Sequence, residues 1–253
     1  YTAFLDLEQA DPLDAVINLN GMDISRGKWT DRQKQRLIDS RIIPTRLLVE
    51  KMKNLKHKPE VFISASAIGF YGEGGDEVLT ESSPSGNFFI SDICRQWEEA
   101  VLPAENVGIR TIRLRTGIVL TPAGGALARM ALPFQLGCGV IISTGRQYMS
   151  WISMDDVLSA ILHILNTKEI SEAVNLTAPK PVTNKEFSKS LAKVFSKKVY
   201  FRLPESIALL LWGQMGKETL LSGARAKPQK LLNSGFSFQH ETVFQALKDV
   251  LGR

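Results

Sequence analysis

The sequence has few of the residues that build metal centres and disulfide-linked folds. Its 253 residues include only 2 cysteines and 3 histidines. Cys94 and Cys138 show no metal-site spacing and no framework for a secreted fold, so they favour a reducing compartment, and we expect the cytoplasm. His57, His163 and His240 form no pair at helical spacing. We therefore expect no bound metal.

Long apolar runs are also absent. No run approaches the roughly 18 residues that a membrane helix needs, so we expect no membrane partner. The apolar run at 207–212 is far too short. No signal peptide is recognisable, but Tyr1 is not a natural start, and we expect that the true N-terminus lies ahead of it.

Strong charge of one sign is lacking. The net charge of +5 comes without the dense basic cluster of a nucleic-acid binder, so we expect no nucleic-acid partner. One stripe does recur every four residues on a helical face, at Lys185, Lys189, Lys193 and Lys197. The simpler interpretation is a solvated surface, and the alternative is an anionic partner. The length and the 44% hydrophobic content are typical of a globular protein with a full core.

The first half of the chain alternates between strand and helix patterns. This order predicts an α/β fold, with a parallel sheet, helices on both faces and right-handed crossovers. Pro44 should kink the first helix or divide it into two. The predicted elements are a strand within 14–21, a helix from Thr30 or Asp31 to about Asn54, a strand at 61–64, a helix ending near Ala104 and a strand at 110–114.

The pattern changes after Thr121 and becomes mainly helical after Thr183. We predict a dinucleotide-binding domain at 1–121 and 145–178, and a smaller lobe at 122–144 and 179–253. Strands are predicted at 149–152 and 173–177, and helices at 126–136, up to Leu165, and at 184–195, 205–213, 228–233 and 241–251.

The segment from Val61 to Gly72 is the most informative one. It begins as a buried strand and changes to small and polar residues from Ser64 onward. Serines at the end of a strand present hydroxyls at the carboxyl edge, where open α/β sheets bind their ligands.

Four blocks in this order resemble the extended short-chain dehydrogenase/reductase superfamily of NAD-dependent epimerases and dehydratases. They are Asp14–Gly21, Ser64-Ala-Ser66 with Tyr71-Gly72, Arg113–Val119 and Trp151–Asp156. The chain is most similar to an epimerase-like subfamily often labelled nucleoside-diphosphate-sugar epimerase or cell division inhibitor. Its features here are Lys28-Trp29, Ser40-Arg41, Trp97-Glu98-Glu99, Arg115-Thr-Gly117, Gly124-Gly125, Pro133-Phe134, Gly145–Tyr148 and a C-terminal Pro228–Phe238.

The resemblance implies a Rossmann-type doubly wound sheet with a small, mainly helical C-terminal lobe. It implies NADP as the cofactor, with NAD as the alternative, and a small-molecule substrate. It also implies that the first β-α-β unit, with its glycine-rich turn, precedes residue 1. A homodimer through the helices near 31–54 and 87–104 is expected by the same analogy.

The same resemblance exposes a departure at the Tyr-x-x-x-Lys pair, the usual acid/base of the superfamily. Alignment places Ile90 and Cys94 at these positions, or Ser91 and Arg95 with a shift of one residue. Isoleucine and cysteine cannot perform that chemistry as a pair. Serine and arginine could hold a ribose, but serine is a poor base without help.

Ser66 is the predicted catalytic or substrate-orienting hydroxyl, with local backbone bonding as the alternative. Tyr71 is the predicted replacement for the base, and Tyr148 is a weaker candidate. For Tyr71 the alternative is a ring packed under the loop with a wet hydroxyl. The resemblance places the following residues near the cofactor: Leu19, Asn20, Gly21, Arg41, Ser64, Ala65, Thr116, Gly117 and Leu120.

Several of these residues have structural alternatives. Arg41 could form a surface ion pair with Asp39 or Glu50. Arg115 could be structural and pair with an acid. Gly21 could be merely a turn. Cys94 and Trp97 are expected to be buried, and Asp155 and Asp156 are expected to cap the helix that follows, with a substrate role as the alternative.

The sequence therefore predicts an NAD(P)-dependent epimerase or oxidoreductase for a small polar or nucleotide-linked substrate. The alternative is a catalytically weak or inactive NADP-binding sensor or scaffold, with a role in protein interaction during cell division as a further option.

Overall fold

A computed structural model describes residues 12–252. Its strands are β1 (Ala15–Asn18), β2 (Val61–Ala67), β3 (Val78–Leu79), β4 (Arg110–Thr116), β5 (Ile118–Leu120), β6 (Gly139–Ile142), β7 (Tyr148–Met149), β8 (Trp151–Ser153), β9 (Glu172–Leu176), β10 (Val182–Thr183), β11 (Val199–Leu203) and β12 (Arg225–Ala226). Its α-helices are α1 (Asp31–Asn54), α2 (Phe89–Glu99), α3 (Gly125–Gln135), α4 (Met154–Asn166), α5 (Asn184–Val194), α6 (Glu205–Gly216), α7 (Gln229–Asn233) and α8 (Val243–Val250).

The central sheet contains four parallel strands in the order β1-β2-β4-β9. Alternate residues of β2 reach opposite faces, as the two-residue period of a strand requires. Ile63 packs with Ile161 of α4, whereas Phe62 packs with Met52 of α1. The sheet thus has helices on both faces, and the predicted fold class is confirmed. The unit expected ahead of β1 lies outside the described residues.

Helix α1 is a single helix, so the predicted division at Pro44 is wrong. Thr30 caps its N-terminus, where the side chain accepts a 3.3 Å hydrogen bond from Gln33 N. The proline removes one backbone donor from the helix interior. Leu37 and Met52, on either side of it, are fully buried, so packing against the sheet holds the helix across the defect.

Helix α2 ends at Glu99, five residues before the predicted end. A 3₁₀ segment, Leu102–Val107, follows it, with Pro103 in its first turn. Pro103 would cost an α-helix a backbone hydrogen bond but loses none in the first turn of a new segment, which favours the early end of α2.

The C-terminal part contains a parallel strand pair that the helical pattern did not predict. β11 pairs with β6, with an irregularity in register between Val199 and Phe201. The core beside it crosses the predicted domain boundary, because Leu120 and Trp151 pack in one cluster with Leu127, Phe187 and Leu247. The division into domain and lobe stays a prediction. Among residues 12–252, no helix has the length and apolar character needed to cross a membrane.

Candidate cofactor and active site

The carboxyl ends of β1, β2 and β4 form one edge of the central sheet. The parallel register sets Asn18 beside Ser64 and Ser66 beside Arg115. The last residues of these strands and the turns that follow carry seven of the nine predicted cofactor residues, all except Arg41 and Leu120. In open α/β sheets, ligands bind outside this edge.

Asn18, at the end of β1, organises the first turn from below. Its Nδ2 donates to Thr45 Oγ1 at 2.8 Å and to Ser64 Oγ at 3.2 Å. Its Oδ1 accepts from the backbone and the side-chain nitrogens of Asn20 at 3.2 and 2.7 Å. Thr45 Oγ1 also accepts from Trp97 Nε1 at 3.0 Å. This role of Asn18 was not predicted, although a polar residue closing an apolar strand was a visible signal.

Arg41 supports the same turn from the side of α1. Its guanidinium donates to Leu37 O at 2.9 Å and to Met22 O at 2.8 Å, and its Cζ lies 5.2 Å from the centre of the Trp97 ring. Arg41 is only 9% exposed, so the alternative of a surface ion pair is wrong. A Cβ at Gly21 would lie 3.3 Å from Arg41 Cζ. Burial lowers the pKa of Arg41.

The supported turn itself faces outward. Leu19 is 65% exposed, and Asn20 and Gly21 are exposed as well. A single exposed leucine is ordinary on a protein surface, so the feature of interest here is the exposed backbone of the turn. The turn is thus fixed below and open above.

Ser66 lies in a second buried network below the same edge. Its hydroxyl donates to Glu98 Oε1 at 2.8 Å. Arg115 donates to both oxygens of that carboxylate, from Nε at 2.8 Å and from Nη2 at 2.9 Å. The prediction that Arg115 pairs with an acid is confirmed. Hydrogen bonds and the charge of Glu98 outweigh burial and raise the pKa of Arg115.

The available donors and acceptors fix the direction of the hydrogen bond between Ser66 and Glu98. The carboxylate of Glu98 is an acceptor only, so the single hydroxyl proton of Ser66 is directed toward it. Any further group that forms a hydrogen bond with Ser66 Oγ is therefore the donor, and Ser66 Oγ is the acceptor. Glu98, which the sequence analysis did not select, sets this orientation from α2.

Tyr71 belongs to the same network. Its hydroxyl accepts from Arg115 Nη1 at 3.0 Å and lies 2.7 Å from Asn175 Oδ1 and 3.0 Å from Thr80 O, the two acceptors for its proton. The ring is packed, at 3% exposure, but the alternative of a wet hydroxyl is wrong. Burial raises the pKa of Tyr71, against the opposing effect of Arg115. Its catalytic role stays a prediction and would require these bonds to rearrange.

The four residues aligned with the Tyr-Lys positions offer no ready base. Ile90 and Cys94 are buried. Burial, together with the charge of Glu98, raises the pKa of the Cys94 thiol to about 12. Ser91 is buried and donates to a backbone oxygen, Gly69 O, at 2.8 Å, whereas Arg95 pairs with its helix neighbour Asp92.

The carboxyl end of β4 brings Thr116 and Gly117 to the edge of the sheet, whereas Leu120 lies elsewhere. A Cβ at Gly117 would lie 2.6 Å from Ser150 O, so only glycine fits this turn. The side chain of Leu120 is fully buried in a core cluster, and only its backbone could border a ligand. Ala65 is half-buried and packs beside Ile42.

Asp156 does not act as the predicted helix cap. The N-cap of α4 is Ser153, which accepts a hydrogen bond from Asp156 N. The Asp156 carboxylate instead accepts from the backbone nitrogens of Gln239 and His240 at 2.7 and 3.1 Å. It therefore fixes the C-terminal segment. Tyr148, the weaker candidate base, is half-buried, with the guanidinium of Arg225 5.0 Å from its ring centre.

Comparison with known proteins gives consistent matches along the chain. The sequence model of the NAD dependent epimerase/dehydratase family matches residues 2–177, and that of a domain of unknown function, DUF1731, matches residues 203–250. Epimerase family protein Mb2239 of Mycobacterium bovis is 40% identical over 235 residues, which cover 93% of this chain and 77% of that protein. Epimerase family protein YfhF of Bacillus subtilis is 36% identical over 240 residues, 94% of this chain and 78% of that protein.

A solved structure extends this likeness to the fold. The human epimerase family protein SDR39U1 (isoform 2), crystallised with NADPH, has a TM-score of 0.90 to this chain at 28% identity. The match covers 95% of this chain and 82% of the human one. On the family match to more than half of the chain, this protein belongs to the NAD dependent epimerase/dehydratase family.

Proposed function

We propose that the protein binds NADP(H) at the carboxyl edge of its central sheet. We further propose epimerase- or oxidoreductase-type hydride chemistry on a small polar or nucleotide-linked substrate. The observation that carries the proposal is the similarity to the human protein crystallised with NADPH, at a TM-score of 0.90 over 95% of this chain.

The residues at the edge fit a nucleotide. The turn at Leu19, Asn20 and Gly21 exposes its backbone while Asn18 and Arg41 hold it from beneath. Exposed backbone groups in a fixed turn suit the close approach of a ribose or a phosphate.

On the other side of the edge, the turn at Gly117 leaves no space for a side chain. A turn restricted to glycine lets the backbone come close to a bound group. Between the two turns stands Ser66, in the middle of the site.

The bound cofactor would supply hydride exchange, and the chain would supply position and polarity. Ser66 Oγ would accept a hydrogen bond from a hydroxyl of the substrate, because its own proton is held by Glu98. Glu98 would hold Ser66 in this orientation, and Arg115 would hold Glu98 in place through two hydrogen bonds. Ser64 and Ala65 would contribute backbone beside the cofactor.

A titration of the full-length protein with NADPH and with NADH, followed by nicotinamide fluorescence, tests the cofactor. We expect saturable binding that favours NADPH. Asn18→Ala should weaken it because the first turn loses its support, whereas Asn166→Ala, an exposed asparagine bonded only to Leu162 O, serves as a matched control. Failure of a folded protein to bind either nucleotide would sink the proposal.

The second candidate is a cofactor-binding sensor or scaffold with little or no turnover. The buried, fully bonded hydroxyl of Tyr71 and the buried residues Ile90 and Cys94 favour it. The two candidates differ in a single-turnover experiment with bound NADP⁺ and a panel of sugar nucleotides. Appearance of NADPH absorbance that Ser66→Ala abolishes supports the enzyme, whereas binding without any redox change supports the sensor.

The proposal includes a homodimer through α1 and α2 and a cytoplasmic location. Ile43 and Leu47 on α1 and Leu102 just after α2 are exposed apolar residues on these elements. Ile43→Glu combined with Leu47→Glu should reduce the molar mass measured by light scattering to that of the monomer.

A further inference from the structure

One polar contact joins a loop and a helix that are far apart in sequence. The loop after β1 carries Asp23 and Ser25, and α3 carries Arg129. Arg129 Nη2 donates to Asp23 Oδ2 at 2.8 Å, and Arg129 Nη1 donates to Ser25 Oγ. These residues are separated by more than 100 positions in the chain, so the contact exists only in the folded protein.

The strand order shows what this contact spans. In the central sheet, β2 lies between β1 and β4. The loop with Asp23 leaves the carboxyl end of β1, and α3 follows β4 through Gly117, β5 and a short loop. Because these segments leave the strands on either side of β2, the contact between them joins the two sides of the carboxyl end of β2. Ser66 is the penultimate residue of β2, at that end.

The ion pair between Arg129 and Asp23 forms in the structure, but its free energy is small enough for the pair to open. The side chains of Arg129 and Asp23 are 61% and 50% exposed. Exposed ion pairs change an equilibrium only about two- to five-fold. Hydrogen bonds from Ser25 and Arg129 outweigh partial burial and lower the pKa of Asp23, so the pair stays ionised at neutral pH.

The loop that bears Asp23 has further order of its own. Trp29 Nε1 donates to Ile24 O at 2.8 Å, and the Trp29 ring meets the edge of Phe89 with centres 5.2 Å apart. Glycine at position 27 has a positive φ of 81°. The loop is thus held to α2 through Trp29, whereas its tip at Asp23 and Ser25 is bonded within itself and to Arg129 of α3.

We propose that Asp23, Ser25 and Arg129 form a clasp that closes over the carboxyl end of β2 and controls admission and release of the nicotinamide nucleotide. This inference rests on the proposed function. The clasp opens to admit the nucleotide and closes behind it, and its weakness sets the rate of exchange.

Stopped-flow measurement of NADPH association and dissociation on the full-length protein tests the clasp. Asp23→Asn removes the charge and nearly preserves the shape. Both rate constants should rise about two- to five-fold, because the open state becomes more populated. Hydrogen exchange of 22–30 without nucleotide should accelerate as well. Glu60→Gln is the control, since the Lys168–Glu60 pair is also exposed, at 77% and 70%, and Glu60 directly precedes the amino end of β2, at the opposite edge of the sheet.

Cross-linking tests the same idea in the opposite direction. In a Cys138→Ser background, Asp23→Cys and Arg129→Cys are joined by a short bismaleimide, and the buried Cys94 should not react. Cross-linking the loop to α3 while NADPH is bound should slow NADPH release more than about tenfold, because the clasp cannot open. The same protein without cross-linker should exchange quickly. Lys168→Cys with Glu60→Cys, joined in the same way at the opposite edge of the sheet, should leave the rates unchanged.

The outcomes separate the two proposals. If NADPH binds but both clasp experiments leave its rates unchanged, the clasp is overturned and the cofactor proposal stands. If the folded protein binds neither NADPH nor NADH, the proposed function fails and the clasp fails with it. Faster exchange in Asp23→Asn together with slower exchange in the cross-linked protein establishes the clasp.

Discussion

Two arginine–carboxylate pairs lie at the same edge of the sheet and differ in almost everything else. Arg115 and Glu98 are bidentate, with side chains 6% and 10% exposed. Arg129 and Asp23 share one bond between side chains that are mostly in water. A buried pair cannot lose one partner without stranding a charge, whereas an exposed pair returns both partners to water. The difference indicates that Arg115 and Glu98 form a rigid floor of the site, whereas the proposed clasp of Asp23, Ser25 and Arg129 is movable.

The largest expected effect comes from breaking the buried pair. Glu98→Ala should reduce the free energy of unfolding by about 3–5 kcal/mol, because Arg115 is left as an uncompensated buried charge. Denaturant unfolding followed by circular dichroism measures it. Replacing both partners by apolar residues, Glu98→Leu with Arg115→Met, should recover part of the loss. Equal stability of Glu98→Ala and the parent protein would contradict the assignment of the pair as the floor.

The next effect concerns the hydroxyl that the buried pair holds. Tyr71→Phe keeps the ring but leaves Asn175 Oδ1 and one Arg115 N–H without this partner. The cost should be about 1–3 kcal/mol in the free energy of unfolding, the usual penalty for unpaired buried groups. Tyr200→Phe, at a ring that is 70% exposed, provides the control and should change stability little. A nearly neutral Tyr71→Phe would show that the hydroxyl is not held as described.

A pH experiment probes the floor without breaking it. The pKa of the Cys94 thiol is about 12 in the folded protein and lies near its ordinary value of 9.0 when unfolded. Because the folded pKa is raised, this contribution to stability is complete below pH 9 and is lost as pH rises toward 12. The slope should reach about 1.4 kcal/mol per pH unit. Cys94→Ala should have a shallower slope between pH 9 and 11, and identical slopes would refute the burial of the thiol.

The smallest effect on stability is expected for the clasp. Asp23→Asn should change the free energy of unfolding by about 0.2–1 kcal/mol, since an exposed ion pair contributes no more. Thermal unfolding at low and at high salt measures it, and high salt should remove most of the difference from the parent protein. A loss of stability as large as that of Glu98→Ala would contradict the distinction between the rigid floor and the movable clasp.

The sequence was sufficient for the elements that carry a local pattern. The strand at Val61, the helix from Asp31 and the C-terminal helices were predicted within a few residues, since their periodicity is visible in short windows. β11 was missed because it is a short pair to a distant segment, β6, within a helical stretch. Pro44 was given too much weight because burial on both sides of it outweighs one lost hydrogen bond.

The candidate site was only partly predictable. The residues at the strand ends could be placed at one edge because parallel strands end together. Glu98 and Thr45 were not selected, since their partners lie 32 positions away at Ser66 and 27 positions away at Asn18. A long-range hydrogen bond leaves no periodic trace in the sequence. The same reason explains why the C-terminal role of Asp156 was mistaken for a local cap.

The bonding of Asn175 has a consequence for how the protein is made. Its Oδ1 accepts the proton of Tyr71, and its Nδ2 donates to Lys227 O at 2.9 Å. Synthesis proceeds from the N-terminus, so Thr80 and Arg115 are present early, whereas the Asn175 acceptor of Tyr71 exists only after more than 100 further residues. We therefore expect the floor of the site to reach its native form late, after the first strands have paired. Pulse-labelled hydrogen exchange during refolding should show protection of β2 before protection of the segment around Lys227.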